Sequence, residues 1–548
     1  MPDNNQIADA FSLLSKLMDI HAENAFKAKS YAAAAFNIEK LPVQLSEIDP
    51  SKISSYKGIG DSAAKKIIEI LQTGELKALT ELIEKTPPGV IEMLSIKGIG
   101  PKKISTIWKE MGIESVGELL YACEENRLTL FKGFGEKTQA SVKESIEFFF
   151  KNKDIHLYAD VEAYALAIDK NLKDHFTADQ FELTGEFKRQ MEIIHLLEWV
   201  TTASSTDIET LFTKNNFELK EKDTSFLTVK GPENILLKFH FTTTDAFGSI
   251  LFQTSASEDF LQAWGTVDKV SKEELLFAQK GIAFIPSCLR EEFITDPIPD
   301  LIQPSSIKGI IHSHSNWSDG GTTIEAMANH AKENGFEYLV ISDHSKSAFY
   351  ANGLSVERIG EQHRYIDELN NKLKDFRIFK SIEADILNDG SLDYEDDVLA
   401  TFDLVIASVH SNLKMSEDKA MMRVLNAIEN PYTTILGHMT GRLLLSRNGY
   451  PLDHKKIIDA CVANSVVIEL NAHPRRLDID WRWIDYAVKK GALISIDPDA
   501  HALSGYDDIR YGVLAAQKGR LTADKNLSSF SLNEFEDYIM EVRREKGI

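Results

Sequence analysis

Lys308-Gly309-Ile310-Ile311-His312-Ser313-His314-Ser315-Asn316-Trp317-Ser318-Asp319-Gly320 is a short apolar run that ends in two histidines, with an aspartate and a glycine soon after. The run has the length of a buried strand, and its pattern recurs. Further apolar runs occupy 338–341, 376–380, 404–407, 434–436, 466–470 and 492–496, with helical segments between them. Seven strand-helix units predict a parallel α/β barrel, where functional groups gather at the C-terminal ends of the strands. The residues at those ends are, in order, His312 and His314 with Asp319, then Asp343-His344, Glu383, His410, His438, Asn471, and Asp499 with His501.

One histidine after a strand is usually a satisfied or partly exposed residue. Here nine side chains occupy the mouths of the strands: His312, His314, Asp319, His344, Glu383, His410, His438, Asp499 and His501. Imidazole nitrogens with bridging carboxylates suit Zn²⁺, Mn²⁺ or Fe²⁺, and nine donors are too many for one ion. Two or three divalent metals are expected. Such clusters activate water and neutralise the attacking and leaving oxygens of a phosphoester.

The segments HSHSNWSDG, SDHS, SIEADIL, ASVHS, GHMTGRLL, ELNAHPRRLDIDWRW and DPDAH, in that order over 308–517, resemble the PHP (polymerase and histidinol phosphatase) family. The resemblance implies a distorted (β/α)7 barrel that holds three metals through the nine residues above, with Glu383, His344 and Asp499 central to catalysis. Arg442, Asn471, Arg475 and Arg476 are placed either for a substrate phosphate or, for the arginines, as salt-bridge partners.

Upstream, residues 7–40 read as helices. A short pattern then appears three times, as Tyr56-Lys57-Gly58-Ile59-Gly60, Ile96-Lys97-Gly98-Ile99-Gly100 and Phe131-Lys132-Gly133-Phe134-Gly135, at intervals of 40 and 35 residues. Glycines at such a turn permit positive φ and let a phosphate approach the backbone, and the helix start just after it offers unpaired N–H groups. Three copies, with Lys102 and Lys137 after the second and third, resemble helix-hairpin-helix motifs, which grip DNA by its backbone without reading sequence. The expected contacts are Gly58, Gly60, Gly98, Gly100, Lys102, Gly133, Gly135 and Lys137.

Between hairpins and barrel, strand-like runs such as 181–184, 236–241 and 249–252 mix with helices and predict an α+β module. Hairpins, this module, Cys288-Leu289-Arg290-Glu291-Glu292 and the PHP barrel together resemble bacterial X-family DNA polymerases over the whole chain. The expected layout is multidomain α+β. It comprises a helical domain with the first hairpin (1–80), the second and third hairpins (81–150), a nucleotidyltransferase-like module (151–290), a proline-rich linker (291–306) and the PHP domain (307–548).

The resemblance implies a Mn²⁺-dependent 3′–5′ exonuclease in DNA repair, with one departure. Where the family has Gly-Ser and three Mg²⁺-binding aspartates, this chain has Gly185-Glu186 and then Leu196, Glu198 and Lys238. A leucine cannot bind Mg²⁺ and a lysine repels it, so the polymerase core is expected to be inactive. Asp207 and Glu209, the nearest other acids, read as part of a helix cap. Lys66 matches the family's Schiff-base lysine for abasic-site lyase chemistry, although with Lys65 it also reads as a solvated pair.

Two alternatives remain in view. A small-molecule phosphomonoesterase of the histidinol phosphatase kind has no use for hairpin repeats, and a non-enzymatic DNA scaffold has no need of a complete ligand set. The net charge of −23 lies mostly outside the hairpins: residues 1–150 hold 18 Lys and Arg against 21 Asp and Glu. The acidic remainder suits metal binding or solubility. With neither a signal peptide nor an apolar run of membrane length, a cytoplasmic location without membrane contact is expected. Cys123, Cys288 and Cys461 are expected to be ordinary thiols.

Overall fold

The computed structural model describes residues 2–548 except 125–127, 129, 130, 132, 152–154, 232, 233, 295, 349, 350, 446 and 447. Lys132 of the third hairpin therefore lies outside the described residues. The chain forms two compact units, Met1–Lys153 and Asp154–Ile548.

The first unit is helical: α1 (Asn4–Ile20), α2 (Ala25–Glu39), α3 (Asp61–Thr73), α4 (Lys77–Glu84), α5 (Pro88–Glu92), α6 (Pro101–Lys109), α7 (Val116–Glu124) and α8 (Glu136–Lys151). Asp3 and Gln6 start α1 with a reciprocal capping box, which satisfies N–H groups that the first turn leaves open. The apolar positions of α1 and α2 share one core with Ile67, Ile104, Ile107 and Ile146 from the later helices.

The second unit opens with a two-stranded pair and a five-stranded sheet. Its strands are β1 (His156–Leu157), β2 (Phe181–Thr184), β3 (Ile193–Ile194), β4 (Leu197–Thr201), β5 (Glu218–Lys222), β6 (Phe226–Lys230) and β7 (Leu236–Phe241). β1 pairs with β3, and the sheet order is β2-β4-β7-β6-β5 with β4 and β7 parallel. The run at 249–252, expected as a strand, is instead inside a helix, Phe247–Thr254. A short continuous apolar run carries no periodicity that separates the two. Burial of Phe252 against Phe260, Trp264 and Phe277 decides it.

The proline-rich stretch has little regular structure beyond a 3-10 turn at Pro304–Ser306, yet it is packed rather than a free tether. Ile302 is buried, its amide donates to Leu521 O at 2.9 Å, and its carbonyl accepts from Gln517 Nε2 at 2.8 Å.

Seven parallel strands complete the unit: β8 (Gly309–Ile310), β9 (Tyr338–Ile341), β10 (Arg377–Asp385), β11 (Leu404–Ser408), β12 (Thr433–Leu436), β13 (Val467–Asn471) and β14 (Ile494–Asp497). They lie in sequence order. Beyond the strand ends Ser313 bridges Ala500, with His314 N donating to Ala500 O at 2.8 Å, so the first and last strands meet at the mouth. β9 and β11 to β14 are buried at every residue, as strands covered on both faces must be.

Alternation along these strands explains the site. Tyr338, Val340, Phe379, Leu404, Ile406, Ile435 and Val467 form one apolar cluster with Phe535 of the C-terminal helix, Leu532–Lys546. The ring of Phe535 stacks on Tyr338 with centroids 4.4 Å apart. Stepping two residues at a time towards the C-terminal end of β10, the same face passes from Phe379 to Ser381, Glu383 and Asp385, and on β13 from Val467 to Glu469 and Asn471. One face of the sheet thus turns from apolar to acidic in the direction of the strands.

Candidate metal centre

Eight of the nine expected ligands fall into three groups whose donor atoms lie within 4.8 Å of one another: His314, Asp319, His344 and His501; His312, His314 and Asp499; and His344, Glu383 and His410. The ninth, His438, puts Nε2 3.0 Å from Glu383 Oε1. Among the described residues every such group belongs to the barrel.

Glu383 is the centre of the arrangement. Its Oε1 lies 3.0 Å from His410 Nε2 and 3.3 Å from His312 Nε2, and its Oε2 lies 2.9 Å from His344 Nδ1. Asp499 Oδ1 is 3.1 Å from His314 Nε2, and Asp319 Oδ2 is 3.4 Å from His501 Nε2. Three of the expected ligands, His312, His438 and Asp499, sit at positive φ of 57°, 26° and 51°. Non-glycine residues held there cost on the order of 1–3 kcal/mol each and cluster at functional sites.

The donor set fits divalent cations. His314 Nδ1 and His438 Nδ1 are buried without a hydrogen-bond partner among the described residues, and His312 Nε2, His344 Nδ1 and Glu383 Oε2, though close to one another, make no well-aligned hydrogen bond. Each costs about 1–3 kcal/mol unless something satisfies it. Protonation follows the same logic. Burial works against charge on Glu383 and Asp499, but the surrounding histidines hold both carboxyls well below their usual range. Burial also disfavours charge on His344 and His410, yet Glu383, with Asp319 for the first and Asp385 for the second, raises them to about 10 and about 9. His314 is pushed down to about 3 by burial and by His501 and His344, so it stays neutral.

Further carboxylates hold the expected ligands in place. Glu469 Oε2 is 2.6 Å from His312 Nδ1, and Asp385 Oδ1 is 2.5 Å from His410 Nδ1. With Nδ1 tied, each ring keeps Nε2 for a metal. Asp343 accepts from Ser315 N and Oγ at 2.8 and 2.6 Å and from Gln362 Nε2 at 2.6 Å, fixing the loop that carries His314 and Asp319. Sequence reasoning did not single out Glu469 or Asp385. The signal was present, since each shares a strand face with a residue already chosen, Asn471 and Glu383.

The expected phosphate contacts divide. Asn471 is buried, donating through Nδ2 to Glu469 Oε1 at 2.8 Å and Asp499 Oδ2 at 3.1 Å. Arg442 is a salt-bridge partner: Nη1 meets Asp480 Oδ2 at 2.5 Å and Nε donates to Arg476 O at 2.9 Å. Arg476 Nε lies 3.6 Å from Asp499 Oδ2, and Arg475 is exposed.

In the five-stranded sheet, Glu198 on β4 stands directly opposite Lys238 on β7. Glu198 Oε2 is 2.7 Å from His240 Nε2, and Lys238 Nζ lies over the Phe226 ring at 4.4 Å. Glu186 accepts from His195 N at 2.7 Å, and Arg189 Nε pairs with Glu291 at 3.0 Å. Asp207 lies in the first turn of a helix capped by Ser204.

In the helical unit, Gly58, Gly98 and Gly133 adopt φ of 81°, 87° and 94°. The apolar residue after each, Ile59, Ile99 or Phe134, is buried, and its amide donates to the carbonyl three residues back. Gly60 and Gly100 begin α3 and α6 with no side-chain cap, so first-turn N–H groups stay open. Lys102 and Lys137 are exposed, and Lys66 is half-buried with Nζ 5.7 Å from the Tyr31 ring centre. Gly100 has φ of −86° and a Cβ there meets nothing within 4 Å. Gly100→Val should therefore fold normally while shielding the backbone, and we expect DNA affinity to fall about tenfold or more, with little change on a small phosphoester. A titration against labelled duplex checks this, and equal loss on both substrates would indicate a folding defect.

Comparison with known proteins bears on the whole chain. A helix-hairpin-helix domain family matches residues 2–76, and a SAM-like helix-hairpin-helix tandem matches residues 90–147. The DNA polymerase/3′-5′ exonuclease PolX of Bacillus subtilis (strain 168) is 30% identical, over 95% of this chain and 96% of its own. The chain belongs to the PolX family. A probable phosphatase of Thermoanaerobacter sp. (strain X514) is 24% identical over 44% of the chain and 98% of its own length. A probable phosphatase of Acetivibrio thermocellus is 30% identical over 30% of the chain and 67% of its own. The phosphatase likenesses fall on the PHP part of this PolX-family chain. No helix among the described residues is long and apolar enough to cross a membrane.

Proposed function

We propose that this PolX-family chain is a metal-dependent 3′–5′ exonuclease that trims DNA ends in repair, working in the cytoplasm through its barrel while the polymerase core is inactive. The observation that carries the reading is the three ligand groups around Glu383 in a chain that also carries three hairpins. His312, His314, Asp319, His344, Glu383, His410, His438, Asp499 and His501 would hold three ions, with Mn²⁺ the working metal and Zn²⁺ or Fe²⁺ able to occupy the same donors. When bound, such ions supply Lewis acidity and an activated water.

The chain's own residues do the rest. Glu469 and Asp385 orient His312 and His410. Arg475 and Arg476 meet the substrate phosphate, and Asn471 keeps Asp499 in place. Gly58, Gly60, Gly98, Gly100, Lys102, Gly133, Gly135 and Lys137 hold the DNA backbone without regard to sequence. The module at 151–290 acts as a brace.

The test uses the full chain, stripped with EDTA and reloaded with Mn²⁺, on 5′-labelled single-stranded, nicked and 3′-phosphate DNA, with histidinol phosphate alongside. Stepwise shortening from the 3′ end, abolished by excess EDTA, is expected. Hydrolysis of histidinol phosphate with intact DNA would favour a small-molecule phosphatase instead.

A further inference from the structure

Beside the metal centre lies a cavity of about 400 Å³ lined by Asn388, Asn412, Lys414, Ser416, Lys419 and Arg423 together with Met415. Asn412 is two residues beyond the ligand His410, so their Cα atoms are no more than about 7 Å apart. Asn388 is three beyond Asp385, and the two asparagines join through a hydrogen bond of 2.8 Å. The lining holds three cations and no carboxylate, in a chain whose net charge is −23.

Arg423 gives the cavity its unusual character. It is fully buried, and its guanidinium donates to the carbonyls of Leu387 at 3.0 Å, Ser411 at 3.0 Å and Ile386 at 2.5 Å. Among the described residues no carboxylate lies within ion-pair distance of it. Its hydrogen bonds go to neutral acceptors, and although the carboxylate of Asp385 lies near enough to offset part of its charge, the remaining field reaches the adjoining space. Lys414 and Lys419, both exposed, add donors at the rim. Asp389, the acid nearest in sequence to Asn388, accepts from Ser391 N at 3.0 Å and Oγ at 2.7 Å; it is not part of the lining, although Lys419 lies near enough to favour its charged form.

We propose that this cavity holds the backbone phosphate next to the one hydrolysed, so that the barrel itself distinguishes a DNA strand from a free phosphomonoester. The inference rests on the exonuclease reading. A small monoester leaves the cavity empty, whereas a strand whose terminal phosphate sits at Glu383 passes the adjacent phosphate towards Lys414 and Lys419. Arg423 contributes potential and Asn412 position, and the lysines contribute the contacts.

The test is a two-by-two comparison on full-length, Mn²⁺-loaded protein: wild type against Lys414→Ala/Lys419→Ala, on an oligonucleotide with a normal or a neutral methylphosphonate linkage next to the scissile one. The wild type should lose about tenfold in kcat/KM on the neutral linkage. The double variant should lose as much on the normal oligonucleotide and little more on the neutral one. Since both lysines are exposed, unchanged thermal midpoints are expected and checked. Equal sensitivity of the two proteins to the neutral linkage, or none in the wild type, overturns the proposal. A wild type that shortens no DNA overturns the exonuclease reading, and the cavity assignment falls with it.

Discussion

Glu383→Ala is expected to reduce Mn²⁺-dependent hydrolysis by on the order of 10³-fold or more, because several kcal/mol of charge stabilisation depend on the ions it helps to hold. No other carboxylate lies within 4 Å of as many ligand histidines among the described residues: His312, His314, His344, His410 and His438 all approach it. Its loss therefore disturbs the ligand groups together rather than one at a time. The measurement is kcat/KM on 5′-labelled DNA at saturating Mn²⁺, with bound metal per chain determined in parallel. Glu383→Gln keeps the shape and removes the charge, and should be nearly as inactive while binding fewer ions. Activity within tenfold of wild type in both variants would show that Glu383 is not a ligand.

The second expected result is an absence: no primer extension on gapped DNA with Mg²⁺ or Mn²⁺ and all four nucleotides. Two-metal nucleotidyl transfer needs carboxylates at both ions. At the aligned positions stand Leu196, Glu198 and Lys238, and Glu198 is already occupied by His240 at 2.7 Å. Lys238, directly across the strand pair, adds a positive charge where a cation would bind. Glu186 would repel a triphosphate by about a kcal/mol or more. The assay belongs on the Glu383→Ala background, where degradation cannot mask synthesis. Template-dependent products longer than the primer would show that the module still polymerises.

The barrel was legible because its strands are buried on both faces, which leaves continuous apolar runs such as Tyr338–Ile341 and Leu404–Ala407 that stand out from the helices. The clustering of its histidines and carboxylates was legible because such residues concentrate at one end of each strand. The helix at Phe247–Thr254 was not, since its ring partners Phe260, Trp264 and Phe277 are tertiary neighbours that a local window cannot see. Glu469 and Asp385 escaped for a related reason. Their role is set by the rings of His312 and His410, the first lying 157 residues away from Glu469 in the chain. Arg442 shows the limit for cations: a phosphate contact and a salt bridge look alike until Asp480 is found 2.5 Å away.

The pairing of Ser313 with Ala500 has a consequence for how the protein is made. Two of the three ligand groups need Asp499 or His501, although their first members are at positions 312 and 314. During translation the first histidines thus leave the ribosome nearly two hundred residues before the partners that complete them. On the proposed function, a chain that stalls, or is clipped ahead of β14, would carry the hairpins but an incomplete centre. On the proposed function, hydrolytic power would come late, with the segment just beyond the closing strand.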